Sequence, residues 1–184
     1  LTGNRFAGVD VGGSRKGFHA AVIDDRALVA GPTRLPDVAT TVRWLVDQAP
    51  VVVAVDAPLT LGPRECERAL TRHVCHLYFT PAALAGTFYD WMRNGFALYA
   101  ALRENGLAAI ECFPTGTWTI LAGKRGDRSR QAWTKGGLAA LRLAGIPSRL
   151  DQDGRDAICA AYTARVHARG HADPRFAPIA IPLA

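Results

Sequence analysis

The run Val51-Val52-Val53-Ala54-Val55 carries no polar side chain and stops at Asp56-Ala57-Pro58. Strands exposed on one face alternate apolar with polar residues, whereas an unbroken β-branched run suits a central, parallel strand covered on both faces. The chain must therefore supply helices for both sides of a sheet. Proline cannot continue a ladder, so the strand ends near Asp56. Ligands of open α/β sheets bind outside the carboxyl ends of such strands. Upstream, Phe6 to Val11 are small and apolar around Asp10, Gly12-Gly13-Ser14 interrupt, and Gly17 to Ile23 resume the pattern. Asp24-Asp25 is a good tight turn, and Ala27 to Leu35 can form a third strand. The first 35 residues are thus expected to form an antiparallel meander.

After Pro36, Val38, Val42, Leu45 and Val46 recur at helical spacing, predicting a helix over Val38 to Gln48 that Ala49-Pro50 ends. Arg64 to Cys75 and Pro81 to Leu102 are helical in composition, a helical insertion at about 60–105. Leu107 to Phe113 reads as a short strand ending at Pro114. Helices are predicted over Thr115 to Leu121, Gln131 to Ala144 and Asp153 to Arg169, with a short strand near Ile179. That order gives an α/β fold with a mixed sheet, a three-strand antiparallel meander followed by parallel strands and flanked by helices. At 184 residues and 49% hydrophobic the chain suits a single domain. Folding would bury roughly 70% of the extended chain's surface without disulfides.

Cys66, Cys75, Cys112 and Cys159 form no C-x-x-C pair, which predicts reduced thiols and a cytoplasmic location. Leu1 to Arg5 lack a basic segment leading into an apolar run, so no secretory leader is expected. No stretch reaches the roughly 18 apolar residues of a membrane span, so no membrane partner is expected. The net charge of +6 and pI near 9.5 favour anionic partners without identifying one.

Each carboxylate that could carry chemistry also has a structural reading. Asp10 shares its strand face with Phe6 and Gly8, so it either organises the Gly12-Gly13 turn or ligates a metal, because an unpaired buried carboxylate is costly. Asp56 is a strand-end ligand, or else a helix cap or a turn former ahead of Pro58. Asp153 and Asp156, three residues apart, project from one face of a helix's first turn, where acids ordinarily cap or complement the dipole. Ala157, Ala160, Ala161 and Ala164 would let that helix approach a sheet closely and bring both aspartates near the strand ends. Glu111 is a further strand-end carboxylate, or the partner of an arginine.

The loop at Gly12, Gly13 and Ser14 either presents N–H groups to phosphate, with Ser14 and Lys16 as candidate substrate contacts, or makes a tight hairpin. Lys124, Arg125, Arg128, Arg130 and Lys135, with Trp133 among them, could track a phosphate backbone and stack a base. A solvated loop is the alternative. The spacing of Cys66, His73, Cys75 and His76 fits no standard zinc site.

The segments GVDVGGSRKG, VAVDAPL, RECERALTR, WMRNGF, IECFPTGTW and DQDGRDAICAAYTA, in this order, resemble a domain-of-unknown-function family of predicted nucleases with an RNase H-like fold. The likeness spans almost the whole chain. RNase H-like nucleases, Holliday-junction resolvases included, carry an Asp on the first strand, an acid at the end of the fourth and one or two acids on the last helix. The resemblance puts these at Asp10, Asp56, Asp153 and Asp156, while Glu111 matches the family's own strand motif. The first-helix acid of the RNase H enzymes is not matched, since Val38 to Gln48 offers only Asp47 at its far end; the arrangement is nearer that of the resolvases.

Such a resemblance implies a metal-dependent nuclease acting on nucleic acid. Converging carboxylates repel, and magnesium or manganese with oxygen ligands would relieve this. Two ions would suit in-line displacement at phosphorus. Asp10 would bridge both, Asp56 would complete one shell, and Asp153 and Asp156 would hold the other ion or orient water. Arg64, Arg72, Lys124, Arg128 and Arg130 are then expected to hold the phosphate chain. Two other readings remain: a non-catalytic nucleic-acid or nucleotide binder on the same fold, and a phosphotransferase, because GVDVGG also resembles the phosphate loop of the actin and sugar-kinase superfamily. Those kinases need two such domains to enclose ATP.

Overall fold

In the computed structural model, which describes residues 3–183, the β-branched run becomes strand β4 (Val52–Asp56) at the middle of the sheet. The first two residues of the segment read for a leader lie outside the described residues. β1 (Phe6–Val11), β2 (Phe18–Ile23) and β3 (Leu28–Leu35) form the antiparallel meander, and β5 (Ala109–Cys112) and β6 (Ile179–Ala180) continue beyond β4. The sheet order is β3-β2-β1-β4-β5-β6, with β1, β4, β5 and β6 mutually parallel along the ladder.

Alternation along these strands builds two layers. Ala7, Val9, Val11, Val53 and Val55 face α1 (Val38–Gln48) and α3 (Asp90–Glu104), packing with Leu45, Leu98 and Leu102. On the other face, Phe6, Ile23, Val52 and Ala54 meet Ala160, Ala161 and Ala164 of α6 (Gln152–Ala168). Gly8 lies on this second face, where a Cβ would stand 2.0 Å from the Ala161 backbone nitrogen. The glycine and the alanine stripe therefore let α6 touch the sheet.

α2 (Glu65–His73) and α3 lie between β4 and β5, with a single 3-10 turn at Thr87–Tyr89 ahead of α3. α4 (Pro114–Ala122) and α5 (Arg130–Ala140) follow β5. The helix expected to reach Ala144 stops at Ala140. Arg142 turns left-handed at φ 52, and the Ala144 backbone instead pairs with Arg26 and Leu28 beside β3. A residue bonded sideways to a strand cannot also continue the helical ladder. α6 likewise starts earlier than expected, with Asp151 as N-cap accepting from the Gly154 N–H; Asp153 is thereby left without a capping duty. Among the described residues no helix is long and apolar enough to cross a membrane.

Candidate acidic site

Strand register sets three titratable side chains in one row. Asp10 pairs with His19 across β1 and β2 and with Asp56 across β1 and β4. Directly paired residues share a face, so His19, Asp10 and Asp56 all point to the α6 side. The contact at Gly8 brings the first turn of α6 over this row, and the Asp153 carboxylate joins it there. One oxygen each of Asp10 and Asp153 and one nitrogen of His19 lie within 4.8 Å of one another. Lys16, on the loop after β1, donates to Asp153 Oδ1 at 2.6 Å and stands 4.0 Å from Asp10 Oδ2.

Burial dominates the electrostatics. It raises the Asp10 pKa, and the neighbouring Asp156 and Asp153 raise it further; against the pull of Lys16 and Arg130 it is pushed up to about 7. Burial also lifts Asp56 well above the carboxylate range, with Asp10 and Asp156 adding repulsion. For Lys16 burial works downward, but the Asp153 hydrogen bond and the Asp10 charge hold it above its ordinary value.

Asp156 is the best-held acid of the cluster. Its Oδ1 accepts from Trp118 Nε1 at 2.7 Å and Gln152 Nε2 at 2.9 Å, and its Oδ2 accepts from Arg130 at 2.9 Å. Trp118, wholly buried on α4, locks the carboxylate in place, while the half-exposed Arg130 can move off it.

Glu111 lies outside this row. It stands in register with Val55, not Asp56, and so leaves the sheet on the opposite face. There Arg64 grips it with two hydrogen bonds, at 2.6 and 2.7 Å, and the Leu59 N–H donates to it at 2.9 Å. Arg64 also binds Glu67, which accepts from Thr80. The arginine-partner reading of Glu111 thus describes its surroundings, and Arg64 faces two buried carboxylates instead of open solvent.

The remaining sequence candidates divide. Lys124, Arg125 and Arg130, joined by the sequence-distant Arg72, line one basic cavity of about 420 Å³. Arg128 folds back onto the carbonyls of Ala122, Lys124 and Arg125, and so braces the loop. Ser14 donates to Asp90, and the Gly12-Gly13 loop closes as a hairpin through the Gly12 N–H to Gly17. Trp133, expected to offer its ring to a base, is instead buried, with its Nε1 bonded to the Gly123 carbonyl; its large apolar face finds a better partner in the core than in solvent. Among the described residues Cys66, His73, Cys75 and His76 form no metal-donor group. Beside Asp56 a second cavity, of about 570 Å³, is walled by aromatic residues that include Tyr78, Phe79, Phe88 and Trp91.

Sequence reasoning missed His19. A hairpin closing Gly12 onto Gly17 pairs Val11 with Phe18 and hence Asp10 with His19, so the signal lay in counting the register outward from the glycines.

The donor chemistry fits a divalent cation. Asp10 Oδ2 and His19 Nδ1 are buried with no hydrogen-bond partner, and leaving such atoms unpaired costs roughly 1–3 kcal/mol each. Both belong to the Asp10, His19, Asp153 group, and Lys16 already brings a positive charge to its edge.

The family described as "Protein of unknown function (DUF429)" matches residues 8–180. The chain is similar to the Thermus thermophilus RuvC structure at 19% identity and a TM-score of 0.57, covering 97% of this chain and 99% of that one. It is also similar to T. thermophilus RuvC in complex with Holliday junction substrate, at 17% identity and a TM-score of 0.59, covering 98% and 99%. These likenesses establish an RNase H-like, RuvC-like fold. A search of the curated proteins finds no match.

Proposed function

Because this chain belongs to the DUF429 family and gathers aspartates at the carboxyl ends of β1 and β4, we propose that it is a metal-dependent nuclease hydrolysing phosphodiester bonds. The observation that carries this reading is the convergence of Asp10, Asp56, Asp153 and Asp156, with a buried Asp10 oxygen left without a partner. Two magnesium or manganese ions bound there would supply Lewis acidity for activating water and stabilising the leaving oxygen.

The chain's own groups divide the remaining work. Asp10, central in the row, would help to hold both ions, one together with Asp56 and the other together with Asp153 and Asp156. Trp118 and Gln152 fix Asp156. Arg130, at once on Asp156 and on the rim of both cavities, is suited to orient the phosphate. Arg72, Lys124 and Arg125 would carry the flanking backbone, since cations lining a groove bind the polyanion. The aromatic cavity beside Asp56 would receive unstacked bases, which bind aromatic faces with little regard to sequence. Nucleic acid as the substrate class draws on the RuvC relative bound to a Holliday junction.

A second reading, a nucleic-acid binder without catalysis, is favoured by Lys16, whose ammonium already partly neutralises Asp10 and Asp153. The two are separated by incubating labelled single-stranded, duplex and branched DNA and RNA with the protein and Mg2+ or Mn2+. Cleavage that is absent from the Asp10→Asn/Asp56→Asn protein supports the nuclease. Salt-sensitive binding with no cleavage under any metal overturns it in favour of the binder.

A further inference from the structure

We propose that the two cation positions flanking Asp10 are unlike, and that the one on the β2 side, built by Asp10, His19 and Asp153, takes a transition-metal dication such as Mn2+ through an imidazole nitrogen. This deepens the nuclease reading and rests on its acidic site, but it concerns which atoms hold the metal.

Asp10 Oδ2 and His19 Nδ1, both buried without a hydrogen-bond partner, belong to residues on neighbouring strands that face each other directly. Asp153 closes the group from α6, with Oδ2 3.9 Å from His19 Nδ1. One ligand atom from each of the three residues lies within 4.8 Å of the other two, near the roughly 4 Å that separates opposite ligands of a small divalent ion. The other ring nitrogen, Nε2, stands 3.9 Å from Asp151 Oδ2. A carboxylate on the far side of the ring is the usual means of orienting a metal-binding histidine. Asp151 is itself anchored as the cap of α6.

The position on the Asp56 side differs, because Asp56 offers only oxygen. Asp156, on the same helix as Asp153, has both oxygens engaged by Trp118, Gln152 and Arg130 and leaves the nitrogen-bearing position to His19. Carboxylate oxygen alone suits magnesium, whereas an imidazole raises affinity along the series from manganese toward zinc. Lys16 stands at the mouth of the nitrogen-bearing position on a half-exposed side chain, so its ammonium competes with the metal and can withdraw into solvent.

The test uses the full chain without nucleic acid. Pulsed electron paramagnetic resonance of the Mn2+-loaded protein should show nitrogen hyperfine coupling, and the coupling should disappear in His19→Gln. By calorimetry, Mn2+ should bind His19→Gln about tenfold more weakly or worse, with Mg2+ affinity changing much less. Lys16→Ala should bind Mn2+ more tightly. Bound Mn2+ with no nitrogen coupling in the wild type overturns the proposal, as does equal Mn2+ affinity in wild type and His19→Gln. Should His19→Gln fail to fold, the wild-type coupling alone decides. Nitrogen-coupled Mn2+ in a chain that cleaves nothing would sink the nuclease reading and keep this one; cleavage with no nitrogen coupling would do the reverse.

Discussion

Gly8 on β1 lies so close to Ala161 on α6 that a Cβ at Gly8 would stand 2.0 Å from the Ala161 nitrogen and 2.3 Å from the Ala157 carbonyl oxygen. Both obstacles are backbone, so nothing small can rotate out of the way. This contact sets the height of α6 above the sheet, and with it the distance of Asp153 from Asp10.

Gly8→Ala should therefore destabilise the chain by at least the 1–3 kcal/mol typical of overpacking, lowering the unfolding temperature by roughly 2–4 °C per kcal/mol. The same variant should bind divalent metal more weakly. Thermal unfolding and calorimetry measure both; an unchanged melting temperature would mean that α6 is free to shift.

Stability of the metal-free protein should fall as pH rises. The Asp10 carboxyl titrates near 3.8 when unfolded and near 7 in the folded chain, where burial and the neighbouring aspartates oppose its ionisation. Its contribution to stability is full below 3.8 and is lost as pH climbs through about 7. Asp10→Asn cannot ionise, so its melting temperature should exceed that of the wild type increasingly between pH 5 and pH 8, by on the order of 1.4 kcal/mol per unit of pKa shift at most. Parallel melting curves across that range would contradict the assignment.

Divalent metal should reverse this trend. Ligands must lose their protons to bind, so saturating Mg2+ or Mn2+ should raise the wild-type melting temperature more at pH 8 than at pH 6. At a hundredfold excess over Kd the gain is about 2.7 kcal/mol. Chelation should abolish it, and Asp10→Asn/Asp56→Asn should show little of it.

Arg64→Ala should behave as a stability mutant. It strips the cation from Glu67 and Glu111, both buried, and breaking such a pair from one side costs about 3–5 kcal/mol. Denaturant unfolding reads the loss. A variant as stable as the wild type but weaker toward nucleic acid would return Arg64 to the phosphate track.

Arg72→Ala and Lys124→Ala should weaken nucleic-acid binding for all sequences alike. Each should lower the salt dependence of the binding constant by about one unit of slope on a double-logarithmic plot. Binding titrations between low and physiological salt would detect it, and an unchanged slope would remove that residue from the interface.

Much of the frame was legible in the chain. The small apolar runs of the meander broken at Gly12-Gly13 and Asp24-Asp25, the β-branched run ending at Pro58 and the alanine stripe on the last helix are local patterns. Each dictates its element with little help from the rest of the fold, and the carboxyl-end position of Asp56 followed directly. Asp153 and Asp156 were harder to separate, because either could have capped α6; the cap went to Asp151, a residue outside the carboxylates first considered.

The amino-acid sequence by itself determined most of the strands and helices, and that Asp10 lies on the first strand and Asp56 at the carboxyl end of the fourth, because these follow from side-chain pattern and turn chemistry within a few residues. Only the tertiary structure decided the partners. Cross-strand register chose His19 for Asp10 and turned Glu111 away toward Arg64. Packing buried Trp133 and joined Arg72 to Lys124 in one cavity. Those outcomes depend on which distant surfaces meet, and the free energy that selects them is the burial of whole faces, which no short stretch of residues contains.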